Sequence, residues 1–110
     1  MQEMKIIQTS QEYITFKEQE KFSLFLFGSE KCIPCKALKE KIRAWNESHP
    51  QVFCGYVPLE ENISLAAQEN ILGAPAVLAF VGGKEAIRKA GYFSLEEVFS
   101  SMDRYISCSA

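Results

Sequence analysis

The run Phe22-Ser23-Leu24-Phe25-Leu26-Phe27 constrains the fold more than any other part of the chain. Residues 21–28 are apolar almost without interruption, too few for a membrane span and too uniformly apolar for a strand with one wet face. Such a strand sits in the middle of a sheet covered on both sides. The layers above and below must be helices, which predicts an α/β three-layer αβα sandwich.

The rest of the chain supplies those layers. Lys5-Ile6-Ile7-Gln8 reads as a short first strand, and Thr9 with Glu12 has capping-box spacing for a helix carrying Tyr13, Ile14 and Phe16. A second helix is predicted from about Cys32 to His49, with Leu38, Ile42 and Trp45 on one face and Pro50 ending it. Residues 51–57 form the next strand, and Glu60 to Asn70, containing Leu65, Ala66 and Ala67, the third helix. Pro75 to Val81 and Glu85 to Ala90 pair across a tight Gly82-Gly83 turn as an edge hairpin. Ser94 with Glu97 opens a terminal helix whose stripe is Leu95, Val98, Phe99, Met102 and Ile106. The order is βαβαβαββα around a mixed sheet, and 110 residues suit one domain, 1–110.

The 12 basic and 14 acidic residues are interspersed, so no single-sign field exists to gather nucleic acid or an anionic membrane. Met1-Gln2-Glu3-Met4-Lys5 has no basic segment leading into an apolar stretch, and a cytoplasmic location is expected. Four cysteines are too few for a disulfide scaffold.

Two of them, in Cys32-Ile33-Pro34-Cys35, stand where the buried strand hands over to the second helix. Thiols three positions apart at a helix start can close into a disulfide and reopen without unfolding the chain. Cys32, at or beside the N-cap, lies near unpaired backbone N–H groups that favour its thiolate, lowering its pKa from ~8.5 towards ~7. It is the expected nucleophile. Lys31 adds to this effect and Glu30 opposes it. Cys35, one turn inward, is the expected resolving thiol, and Pro34 restricts the loop between them because first-turn N–H groups need no helical partner. Inert structural thiols or a metal site are the alternatives. A metal usually requires four ligands, and Cys54, Cys108 and His49 form no second close-spaced pair. Cys54 reads as core filling, Trp45 as a packing anchor and His49 as a solvated helix-terminal cation or neutral cap. Cys108, near the carboxyl end, is expected to be mobile and open to adventitious intermolecular oxidation.

These motifs together resemble the thioredoxin family over nearly the whole chain. Gly73-Ala74-Pro75-Ala76-Val77 resembles the segment carrying the family's cis-proline, Gly83 matches its hairpin glycine, and Lys89-Ala90-Gly91 resembles the stretch before its last helix. The resemblance implies a thiol–disulfide oxidoreductase that reduces protein disulfides through a mixed disulfide, with no bound cofactor beyond the redox-active cysteine pair. It also implies recharging by a thioredoxin-reductase-like flavoenzyme and a monomer. Ile33, Pro34, Ala74, Pro75 and Gly91 would contact the client, with the backbone at Ala74 pairing with an extended peptide and Gly73 and Gly91 leaving room for it. On general base rates an ordinary trans turn proline at Pro75 is the lesser alternative.

Three positions depart from the family. Lys31 stands in place of the usual tryptophan, Leu26 in place of a buried aspartate, and the lysine that often partners that aspartate falls at or near Val57. The usual proton relay is therefore missing. A specialised oxidoreductase with few clients, or a non-catalytic binding subunit on the same fold, remain as alternative readings.

Overall fold

The computed structural model describes residues 3–108. β2 (Phe22–Gly28) is buried along its whole length and lies at the centre of a five-stranded sheet of order β1-β3-β2-β4-β5. β1 (Lys5–Ile6) and β3 (Val52–Pro58) run parallel, and β3 runs parallel to β2 with Leu26 opposite Tyr56 and Phe27 opposite Val57. β4 (Ala76–Val81) is antiparallel to β2, and β5 (Lys84–Ala90) closes the edge.

Side chains alternate across this sheet and divide the core in two. Leu24, Leu26, Cys54, Val77 and Ala79 face Ile42 of α2 (Ile33–Glu47) and Leu95, Val98 and Met102 of α4 (Leu95–Cys108). Phe25, Phe27, Val57, Leu78 and Phe80 face Tyr13 of α1 (Ser10–Gln19) and Leu65 and Ala66 of α3 (Ile63–Gln68). The αβα sandwich follows directly from a strand that must be covered twice.

Helix boundaries depend on side-chain hydrogen bonds. The Thr9 hydroxyl accepts from the Glu12 N–H at 3.1 Å, and the Glu12 carboxylate accepts in turn from the Gln8 N–H at 2.7 Å, which fixes the start of α1. Ile14 is exposed rather than buried. The Ser94 hydroxyl accepts from the Glu97 N–H at 3.2 Å and starts α4. The segment expected as one helix from Glu60 to Asn70 is instead a 3₁₀ turn over Leu59–Glu61 followed by the six residues of α3. Asn62 causes the break. Its buried amide donates to the carbonyls of Ile7 and Pro58, at 3.0 and 2.9 Å, and holds the backbone there at φ −138° and ψ 47°, outside the helical region. α2 ends at Glu47 and not at His49, and the Asn46 amide, donating to the His49 and Val52 carbonyls, ties the following chain to the last turn of the helix.

Two single-residue expectations gain detail. His49 caps the end of α2, with Nδ1 2.9 Å from the Trp45 carbonyl, but it is not freely solvated: its ring stacks on Trp45 with centroids 4.1 Å apart and its Nε2 lies 2.8 Å from Asp103. Trp45 also stacks on Phe99, so this cluster joins the end of α2 to α4. Cys108 is a free, exposed thiol, consistent with its expected openness to oxidation, and is the last residue of α4. Among the described residues no helix is long and apolar enough to cross a membrane.

Candidate active site

β2 ends at Gly28, and the chain turns through residues 29–31 into α2, whose N-cap is Cys32 with an extended backbone at φ −85° and ψ 102°. The Cys32 N–H donates to the Ser29 carbonyl at 3.1 Å and the Cys35 N–H to the Cys32 carbonyl at 3.2 Å, so the two cysteines sit on one tight first turn. They are joined by a disulfide with their Cα atoms 5.4 Å apart. Pro34 occupies the first turn, where no intrahelical N–H is required.

The two sulfurs have different surroundings. Cys32 is half-buried, whereas Cys35 is only 3% exposed beneath the helix. Cys32 lines a groove of about 420 Å³ together with Lys31, Ile33, Pro34, Leu38, Ala74, Pro75, Gly91, Tyr92 and Phe93. Ile33, Pro34, Ala74, Pro75 and Gly91 therefore lie around one opening with the exposed cysteine. The Ala74–Pro75 bond is cis, and the Pro75 carbonyl accepts from the Gly91 N–H at 3.0 Å, tying the two loops that flank the groove. A Cβ on Gly91 would meet no other atom, so space does not explain the residue; its φ of +75° does.

A second groove of about 470 Å³ shares Ala74 and Gly91 with the first and continues past Leu72 and Gly73 to Arg88. Ile33, Leu72 and Tyr92 stand almost fully exposed beside these grooves, forming an apolar rim. Sequence reasoning misses Tyr92 and Leu72. Neither lies on a periodic element, and only their apolar character inside Gly-containing loops distinguishes them.

The other two cysteines are separate from this site. Cys54 is buried in the α2/α4 layer, where desolvation pushes its thiol up to about 12, so it stays protonated at neutral pH. Among the described residues no three His, Cys, Asp or Glu side chains are grouped to hold a metal ion.

Leu26, at the position of the absent acid, is fully buried and offers no polar atom. The residue beside it on β3 is Tyr56, on the same face, while Val57 points into the opposite layer. The partner position, expected at or near Val57, is met on this face by the adjacent Tyr56, as strict alternation of side chains along β3 requires.

The thioredoxin family profile matches residues 4–104. The chain is 23% identical over 104 residues to the thioredoxin-like protein YdfQ of Bacillus subtilis, covering 94% of this chain and 93% of that protein. It is 26% identical over 83 residues to thioredoxin-1 of Saccharomyces cerevisiae, covering 76% and 81%. Among solved structures, thioredoxin from Trypanosoma brucei brucei superposes with a TM-score of 0.86 at 14% identity, covering 94% of this chain and 91% of that one. A mutant thioredoxin from Halobacterium salinarum gives 0.85 at 19% identity, covering 94% and 90%. The profile match runs across nearly the whole chain, the helix-start disulfide included, and the protein therefore belongs to the thioredoxin family as a thiol–disulfide oxidoreductase.

Proposed function

We propose that residues 1–110 act as one thioredoxin-like domain that reduces disulfides in protein clients. Cys32 is the nucleophile and Cys35 the resolving thiol. The carrying observation is the asymmetry of the pair: one sulfur opens into the groove while its partner is shielded beneath the helix. In the reduced protein the Cys32 thiolate attacks one client sulfur, forming a mixed disulfide and expelling the other client sulfur as a thiolate. Cys35 then gives up its proton and attacks Cys32. The Cys32–client bond breaks, the client leaves as a dithiol, and two electrons have passed from the protein to the client. Ile33, Pro34, Ala74, Pro75 and Gly91 hold the client chain in the groove, with Ala74 pairing to its backbone. The domain works as a monomer in the cytoplasm, and a thioredoxin-reductase-like flavoenzyme returns it to the dithiol.

Cys35→Ser tests the order of events. It should accumulate a mixed disulfide between Cys32 and a protein substrate such as insulin, and Cys32→Ser should accumulate none. Trapping through Cys35 instead would reverse the assignment, and trapping through neither would favour a non-catalytic binding subunit.

The apolar rim at Ile33, Leu72 and Tyr92, with Leu26 and Lys31 at positions where the family usually differs, supports a second reading: an oxidoreductase with a narrow set of clients. Slow turnover of insulin beside rapid reaction with one cellular client would select it.

A further inference from the structure

Cys35 is the sulfur that must become a thiolate for the exchange to finish; it is buried, and Leu26 stands at the position where the family usually has an acid. The space beside it is not wholly apolar. A Cβ built on Gly28 would lie 2.8 Å from both Cε1 and the hydroxyl oxygen of Tyr56, and 3.0 Å from Cys35 Sγ. The tyrosine hydroxyl and the resolving sulfur thus both border the space above one glycine at the end of the central strand. Any larger residue at position 28 would force one of them aside.

We propose that the Tyr56 hydroxyl donates a hydrogen bond to the Cys35 thiolate once the disulfide opens, and so supports the resolving step. The proposal rests on dithiol exchange at Cys32–Cys35. Hydrogen-bonding capacity and position both suit the role. A phenol is a strong donor to an anion, and donation to the charged form of a thiol favours that form. Tyr56 remains a phenol at neutral pH, because burial together with the Glu60 and Glu30 carboxylates raises its pKa. It is therefore a donor and not the base.

The surrounding charges are few. Glu60 Oε2 accepts from the Glu30 N–H at 3.0 Å, which holds that carboxylate at the loop, and Lys39 of α2 places its ammonium 4.5 Å from the centre of the Tyr56 ring. The lysine draws electron density from the ring and makes the hydroxyl a better donor. The step balances without another reagent: the Cys35 proton passes through solvent to the departing client thiolate, Cys35 forms its bond to Cys32, and the Cys32–client bond breaks. Tyr56 ends the step with the proton it began with.

The test uses Tyr56→Phe, which keeps the ring and removes only the hydroxyl. In a Cys32→Ser, Cys54→Ser, Cys108→Ser background, the Cβ chemical shift of Cys35 followed against pH reports its thiol alone. The expected result is a midpoint about one unit higher in the Tyr56→Phe protein, equivalent to about tenfold less thiolate at neutral pH. With both active-site cysteines present, Tyr56→Phe should slow release of client from a preformed mixed disulfide by about threefold at neutral pH, because the more basic thiolate of the variant is the better nucleophile. That difference should shrink once the pH exceeds the higher midpoint. Identical titrations for the parent and the Tyr56→Phe protein overturn the proposal. So does a rate loss that persists unchanged at high pH, since a purely structural defect has no such dependence. Gly28→Ala, whose methyl group must displace the hydroxyl or the sulfur, should raise the same midpoint with Tyr56 intact. The titration does not require exchange activity: a shifted midpoint with no client turnover would count against the reductase reading while leaving the Tyr56–Cys35 interaction standing.

Discussion

The two faces of the sheet are built from the same strands and behave differently. Against α1 and α3 the core is aromatic and closed: Tyr13, Phe25, Phe27 and Phe80 are buried, with Tyr13 and Phe25 centroids 4.7 Å apart and Phe16 stacked on Phe53 at 4.3 Å. The Tyr13 hydroxyl donates to Glu69, which satisfies its one polar atom. Against α2 and α4 the core is mainly aliphatic and opens at one end. Leu38, Tyr56 and Phe93 are only partly buried there, and the disulfide and its groove occupy that end. The closed face contributes stability by burying large rings. The open face holds a reactive turn that must remain accessible to another chain. Separation across one sheet lets the site depart from the family pattern at Leu26 and Lys31 without disturbing the aromatic layer.

That division can be broken by experiment. The largest effect should come from Cys32→Ser, which removes the nucleophile. Reduction of insulin should fall by about a thousandfold or more, while unfolding stability stays within about 0.5 kcal/mol of the reduced parent protein. A substantial loss of stability would mean that the open face is also structural. Phe25→Ala tests the closed face. It deletes a fully buried ring that touches Tyr13, Phe53 and Phe80, and should cost about 3–5 kcal/mol in urea unfolding without changing the exchange rate of the folded fraction.

A smaller and opposite effect is expected at Ser23. Its hydroxyl is fully buried and has no hydrogen-bond partner, so Ser23→Ala should be neutral or stabilising by up to about 1 kcal/mol. A clear destabilisation would point to an interaction of that hydroxyl in solution. The smallest effect is acid sensitivity. Hydrogen bonds from the Gln8 N–H to Glu12, from Arg43 to Glu40 and from Arg88 to Glu85 hold these carboxyls below the usual carboxylate range. Their contribution is complete above the unfolded value of about 4.3 and is lost as pH falls through the lowered folded values. Unfolding midpoints should thus be flat from neutral pH to about 5 as far as these groups are concerned, then decline gently. Glu40→Gln should remove part of that decline.

The legible part of the molecule is the part governed by repetition. An unbroken apolar strand requires two helical layers, and helical spacing identifies the buried faces of α2 and α4. The Cys-x-Pro-Cys turn is readable because its chemistry lies within four consecutive residues. Long-range hydrogen bonds are not readable: Asn62 breaks a helix by bonding to carbonyls at Ile7 and Pro58, and the Ile7 partner is 55 residues away. The same limit applies to His49, which meets Asp103 on α4, and to Tyr56 and Cys35, which both border the space that Gly28 leaves open. A single glycine at a strand end carries no periodic signal, although a side chain there would crowd both Tyr56 and the resolving sulfur.

The most direct test of the central claim is the equilibrium of the Cys32–Cys35 pair against a dithiothreitol or glutathione series in a Cys54→Ser, Cys108→Ser background. A reversible two-electron transition at about −270 mV is the result expected of a protein-disulfide reductase. A potential of about −120 to −180 mV, or a pair that never closes into an intramolecular disulfide, would contradict it.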